Sequence, residues 1–109
     1  MDDFKSWVRE LRKHFPPLLP VRVYRKDLSS QRCAGLTYLI DDKGKPTRFV
    51  IYIHKSSYTL MFHMLIHEWA HAYAWHTGPY VQDHGIEWAL AMSKIYRYFE
   101  GAYTSTSID

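Results

Sequence analysis

The sequence predicts an α+β domain in the order helix, three strands, helix, helix. Three observations carry that expectation. Apolar residues recur at helical spacing near the start, three runs rich in β-formers occupy the middle, and the stretch from Tyr58 to His76 contains neither Gly nor Pro. With 109 residues and 47% hydrophobic content, one domain over 1–109 can bury a single core without disulfides.

Each element follows in order. Phe4, Trp7, Val8, Leu11 and Phe15 form one face of a first helix, with Lys5, Arg9, Arg12 and Lys13 on the other side. Asp2 or Asp3 is its expected cap and Pro16-Pro17 its stop. VRVYRKD (21–27) alternates apolar and basic residues, as a half-exposed strand does. CAGLTYLI (33–40) and RFVIYIH (48–54) are two further strands, and DDKGKPT between them suits a hairpin. The expected sheet is three-stranded and antiparallel in type. A long helix from Tyr58 to His76 is closed by Thr77-Gly78-Pro79. Asp83 is placed to cap a last helix from His84 to Glu100, with Trp88, Met92, Ile95 and Phe99 as its apolar stripe and Gly101 as its end. Residues 102–109 are expected as a frayed tail.

Composition excludes several classes. Cys33 is the one cysteine, so neither an internal disulfide nor a cysteine-based zinc ribbon can form within the sequence, and a reducing, cytoplasmic setting is the expectation. The N-terminal segment is charged and amphipathic without an apolar signal-peptide core, and no uninterrupted apolar run reaches membrane-spanning length. The net charge of +3 divides unevenly, +5 over residues 1–54 and −2 over 55–109. Such a basic half is either a weak footprint for nucleic acid, through residues such as Arg9, Arg12, Arg22 and Arg25, or an ordinary solvated face. Tyr24, set among these arginines, is a candidate to stack on unpaired bases, although structural tyrosines are commoner.

Five of the seven histidines fall between His63 and His84. His67 and His71 stand one helical turn apart, so both imidazoles can reach one ion. Glu68 is turned toward its flank, where a general base is needed. Chance gives about 0.02 matches to H-E-x-x-H in a chain of this composition. A catalytic zinc takes three protein ligands and leaves the fourth position to water. His76 lies about 180° round the expected helix from His67. His63 and His71, two turns apart, are about 12 Å distant along the axis. Neither His76 nor His63 is therefore expected to complete the set, and His63 is expected as a rim or core residue. His84 and Glu87, at the start of the last helix, remain. His84 is favoured by Gly85, which allows close backbone approach, and by Asp83, a carboxylate able to orient the imidazole.

HEWAHAYAWHTGPYVQDHGIEWALAM resembles the core of the SprT-like zincin family, which includes the Spartan-type DNA–protein crosslink proteases. His67, Glu68 and His71 match the family's HExxH block, His84 and Gly85 its H-G, Trp88 its aromatic and Met92 its methionine. The Gly35 strand and RFVIYIH resemble the hairpin before its catalytic helix. The resemblance spans roughly residues 4–100, with the specific motifs in the second half. None of the cysteine pairs of the zinc-binding subdomain that many members carry is found here, so what is implied is a minimal, single-domain protease core. It implies a zincin-like fold, Zn²⁺ on His67, His71 and His84 with Met92 beneath, and hydrolysis of peptide bonds, including those of DNA-bound proteins.

The expected enzyme is thus a zinc metalloendopeptidase with Glu68 as base. Tyr80 or Tyr103 is a candidate second electrophile, with nothing in the spacing to choose between them. RFVIYIH is the expected edge for main-chain pairing with substrate. The remaining tryptophans, Trp7, Trp69 and Trp75, as well as Trp88 and Phe99, are expected to pack. The alternatives are an adaptor with a structural zinc and a nucleic-acid-binding module.

Overall fold

Helix α1 (Asp3–His14) buries Phe4, Val8 and Leu11 along the predicted stripe. The chain leaves it at Pro16-Pro17, which cannot continue a helix, after Phe15 donates its N–H to the Leu11 carbonyl. The structure, a computed structural model, describes residues 3–76 and 84–104. The expected caps at Asp2 and Asp83 and the stop at Thr77-Gly78-Pro79 lie outside the described residues.

Three strands follow, β1 (Val21–Lys26), β2 (Gly35–Asp42) and β3 (Lys45–His54). The β2–β3 turn is tighter than the DDKGKPT loop suggests. Lys43 and Gly44 alone make it, with φ of 54° and 82°, the two left-handed residues that match a hairpin's twist. β3 consequently begins at Lys45 rather than Arg48. A register irregularity at Ile40/Asp41 falls opposite Pro46, which has no N–H to give the ladder.

The expected antiparallel-type sheet is corrected to a mixed one, in the order β1-β3-β2. β1 runs parallel to β3 from Val21↔Phe49 to Lys26↔His54, and β2 is antiparallel to β3. The cause lies in the inward side chains. β3 buries Phe49, Ile51 and Ile53 completely, so it takes the centre, whereas β1 exposes Arg22, Tyr24 and Lys26 and suits an edge, where charge discourages strand addition. RFVIYIH is therefore paired on both sides and is no docking edge, contrary to the sequence expectation.

Helix α2 (Tyr58–Ala74) starts at Ser57, whose hydroxyl accepts the Leu60 N–H at 3.3 Å. It packs against β2 and β3 with α1 and α3 on its flanks, so most of its later circumference is buried, Glu68 and His71 included. It ends two residues before His76, because Trp75 turns to extended backbone and sets its ring edge-on to Phe49. Helix α3 (Ile86–Thr104) runs through Gly101 rather than stopping there. That glycine is exposed with open space around it, so it costs only its propensity, about 1 kcal/mol relative to Ala. Trp7 and Phe99 pack edge-on to Phe62, joining the three helices. Among the described residues, no helix is long and apolar enough to cross a membrane.

Trp69 is fully buried, and its Nε1–H donates to the Phe15 carbonyl at 2.8 Å, tying α2 to the end of α1. Trp69→Phe removes the donor, strands a buried acceptor and leaves a small void. The expected loss is about 2–4 kcal/mol, measured by urea unfolding with an unchanged m-value. A loss within experimental error contradicts this tie.

Candidate metal centre

Helix α2 carries His67 and His71 one turn apart, and His84 stands just before α3. The α2–α3 packing brings the three rings together, with centroids 5.1 Å apart for His67–His71, 5.1 Å for His67–His84 and 4.8 Å for His71–His84. One ring nitrogen from each lies within 4.8 Å of the other two, a grouping able to hold a metal ion. Trp88 does more than pack in the core. It stands half-buried against all three rings, and its Nε1–H donates to the His67 carbonyl at 3.2 Å.

The other candidates lie elsewhere. Glu87 is exposed and faces His76, with Oε2 3.8 Å from Nε2; it does not join the cluster. His76 has left the helix. His63 is exposed, as a rim residue, with Nδ1 2.7 Å from the Tyr96 hydroxyl. Met92 is half-buried against the core. Asp83, Tyr80 and the Tyr103 side chain lie outside the described residues.

Glu68 lies beside His67, only 3% exposed, with Oε2 3.8 Å from His67 Nε2. Its other oxygen, Oε1, accepts a 2.7 Å hydrogen bond from the Thr37 hydroxyl, which also lies 3.1 Å from the Glu68 carbonyl. Burial pushes the Glu68 carboxyl up from its ordinary pKa, and the Thr37 bond holds it partly down. β2 can approach this closely because Gly35 has no side chain. A Cβ there would stand 2.9 Å from Glu68 Cγ and 3.0 Å from Oε2, too near to be accommodated.

The model of the SprT-like family matches residues 3–107. The chain belongs to the SprT-like family. Neither curated proteins nor solved structures return a match. SprT-like domains are of metalloprotease type, and the histidine cluster of this member can be tested for fit to a metal on its own geometry.

His71 is buried, yet neither ring nitrogen has a hydrogen-bond partner among the described residues, a costly arrangement for a polar group unless a ligand completes it. His84 Nε2 and His67 Nε2 face each other at 3.2 Å. Two nitrogens bound tetrahedrally at 2.0–2.1 Å stand about 3.3 Å apart. Burial lowers the pKa of His67, and His84 lowers it further. Burial takes His71 down to about 4, helped by the charges of His67 and His84. Both rings are thus neutral at pH 7, the state that ligates metal. The donor set of this SprT-like chain fits a divalent ion of the zinc class.

Sequence reasoning missed Thr37. Its signal is the alternation of GLTYLI, which puts Gly35, Thr37 and Leu39 on one side of the strand; a hydroxyl there needs a buried partner. That the partner is Glu68 depends on how α2 docks.

The lowered pKa of His71 has a sign. The unfolded chain binds a proton there near pH 6.5 and the folded, metal-free chain only near pH 4, so stability is lost as pH falls from about 6.5 to about 4 and levels off below. Thermal unfolding of metal-free protein across that range is expected to show this slope. His71→Gln is expected to flatten it to the slope left by His67, less the opposing slope of Glu68, whose raised carboxyl pKa favours the folded chain as pH falls. Equal slopes in the two proteins contradict the assignment.

Proposed function

We propose that this SprT-like protein is a zinc-dependent endopeptidase, with His67, His71 and His84 as metal ligands and Glu68 as the catalytic base. The observation that carries this reading is the buried Glu68 carboxylate, held by Thr37 with Oε2 3.8 Å from Nε2 of His67, one of three convergent imidazoles. Three imidazole ligands would leave one position of a tetrahedral ion open, and a zinc ion held by them would supply Lewis acidity toward water and toward a substrate carbonyl.

The chain's own residues do the rest. Glu68 takes a proton from the attacking water as its oxygen bonds to the peptide carbon, and returns it to the amine nitrogen as the C–N bond breaks. A carboxyl raised by burial is suited to both halves of that transfer. Thr37 fixes Oε1 so that Oε2 keeps one direction, and Gly35 leaves the space in which the carboxylate stands. Trp88 buttresses all three rings. Extended substrate docks on β2 rather than β3, since β2 is an edge strand beside Glu68 and has no strand pairing on its far side among the described residues. A purely structural zinc site has no use for a carboxylate so placed, which weighs against the adaptor alternative.

Zinc content and cleavage test the assignment together. Glu68→Gln is expected to keep about one zinc per chain while cleavage falls about 10²-fold or more. His84→Ala is expected to lose most of the zinc, whereas His76→Ala and Glu87→Ala keep it. Wild-type cleavage by Glu68→Gln makes the zinc structural and the protein an adaptor; full zinc in His84→Ala removes that ligand.

Thr37 supplies a separate test. Its hydrogen bond favours the ionised carboxylate, so Thr37→Val is expected to raise the Glu68 pKa further. The acid limb of the kcat/KM profile then moves to higher pH, with zinc content unchanged. An unmoved limb contradicts the role given to Thr37.

A further inference from the structure

Helix α1 runs beside the outer edge of β1, and a groove of about 1130 Å³ opens between them. Two contacts fix how the elements lie. Arg12 donates from Nη2 to the Val21 carbonyl at 2.8 Å, and Arg25 Cζ stands 4.7 Å from the centre of the Phe4 ring. The floor is apolar, made by Phe4, Val8, half-buried Val23 and, from the first turn of α2, Met61. Lys5, Arg9, Arg12, Arg25 and Lys55 stand around it, and no carboxylate lines the groove. Lys5 and Arg9 are exposed, and neither has an ion-pair partner among the described residues.

β1 also turns main chain toward this groove. The Phe49 N–H donates to the Pro20 carbonyl, and the Lys55 N–H to the Lys26 carbonyl. In a parallel ladder both main-chain groups of every second residue face the same neighbour. Arg22, Tyr24 and Lys26 therefore turn theirs to β3, and Val21, Val23 and Arg25 turn theirs the other way. No strand pairs with β1 on that side among the described residues. Arg12 takes the Val21 carbonyl, which leaves Val23 to offer an N–H and a C=O from the groove wall.

The solvated side of an amphipathic helix accounts for the cations of α1 alone. It does not account for an apolar floor and an open strand edge beside them. We infer that the groove between α1 and β1 docks an extended acidic peptide segment of a partner protein. Its main chain pairs with Val23, its carboxylates meet Lys5, Arg9 and Lys55, and its apolar side chains rest on Val23 and Met61. Successive side chains of an extended segment point to opposite sides, so alternating acidic and apolar residues reach the rim and the floor in turn. Strand addition supplies affinity through the main chain, and the rim and floor supply selectivity. A nucleic acid has the charge, but its bases find no open ring in the floor, where Phe4 lies under Arg25, and its backbone cannot pair with a strand. The groove lies against the first turns of α2, whereas the histidines stand on its later turns and before α3. The inference thus stands or falls separately from the peptidase reading.

The test is fluorescence anisotropy of the full chain with a labelled peptide in which Glu and Val alternate. A peptide of the same composition with Glu and Val in separate blocks, polyglutamate, and single- and double-stranded oligonucleotides serve as comparisons. Lys5→Glu combined with Arg9→Glu is expected to weaken binding of the alternating peptide about 10-fold or more. Lys5→Gln with Arg9→Gln is expected to give a smaller loss in the same direction. Methylating the peptide's amide nitrogens along one edge is expected to weaken binding about 5-fold or more, and along the other edge to leave it unchanged. The Val23 amide resonance of the wild-type chain is expected to shift as peptide is added. Both substituted side chains are exposed, and unfolding midpoints of the variants show whether the fold is kept. The inference is overturned by no peptide binding at low salt, by folded double variants that bind as wild type does, or by an unmoved Val23 amide. It is equally overturned if methylation of either edge has no effect, or if the block peptide, polyglutamate or an oligonucleotide binds as tightly through Lys5 and Arg9.

Discussion

Helix α2 buries two polar side chains, Glu68 and His71, in a position where almost everything around them is apolar. An unsatisfied buried polar group costs about 1–3 kcal/mol, and more if charged, so each needs a partner. Glu68 has one in Thr37, which requires β2 to lie against the helix, which in turn requires glycine at position 35. His71 has no protein partner among the described residues. Instead, the start of α3 brings His84 alongside it, and Trp88 closes the back of the group. The placement of β2 and of α3 can both be traced to these two residues.

The same arrangement divides labour between the layers. The helices supply the imidazoles, and the sheet supplies the group that steers the carboxylate. β3 is fully committed to the core through Phe49, Ile51 and Ile53, which leaves the two edge strands for other purposes. β2 borders the histidine cluster, and β1 carries cations. One three-stranded sheet thus offers an inner face that supports chemistry and an outer face that is basic and aromatic.

Much of this was legible in the sequence because it is local. Helical spacing fixes the relation of His67, Glu68 and His71 before any tertiary contact forms. The stripes of α1 and α3 and the Pro16-Pro17 stop are likewise one-dimensional signals. The misses are non-local or marginal. Whether VRVYRK pairs with β2 or β3, and in which direction, depends on competition for the central position. The Thr37–Glu68 bond joins residues far apart in sequence. Gly101 was a weak stop signal, because an exposed glycine costs a helix little. Trp75 shortened α2 by packing on Phe49, a contact that no window of residues reveals.

The central claim is that three imidazoles and one open position make up the metal centre. X-ray absorption at the zinc edge of the zinc-loaded protein addresses it most directly. The account predicts three nitrogen scatterers with imidazole outer shells at about 2.0–2.1 Å, together with one exchangeable light-atom ligand. A sulfur shell at about 2.3 Å, which only Cys33 or a methionine could provide, or a fourth protein ligand closing the site, contradicts it.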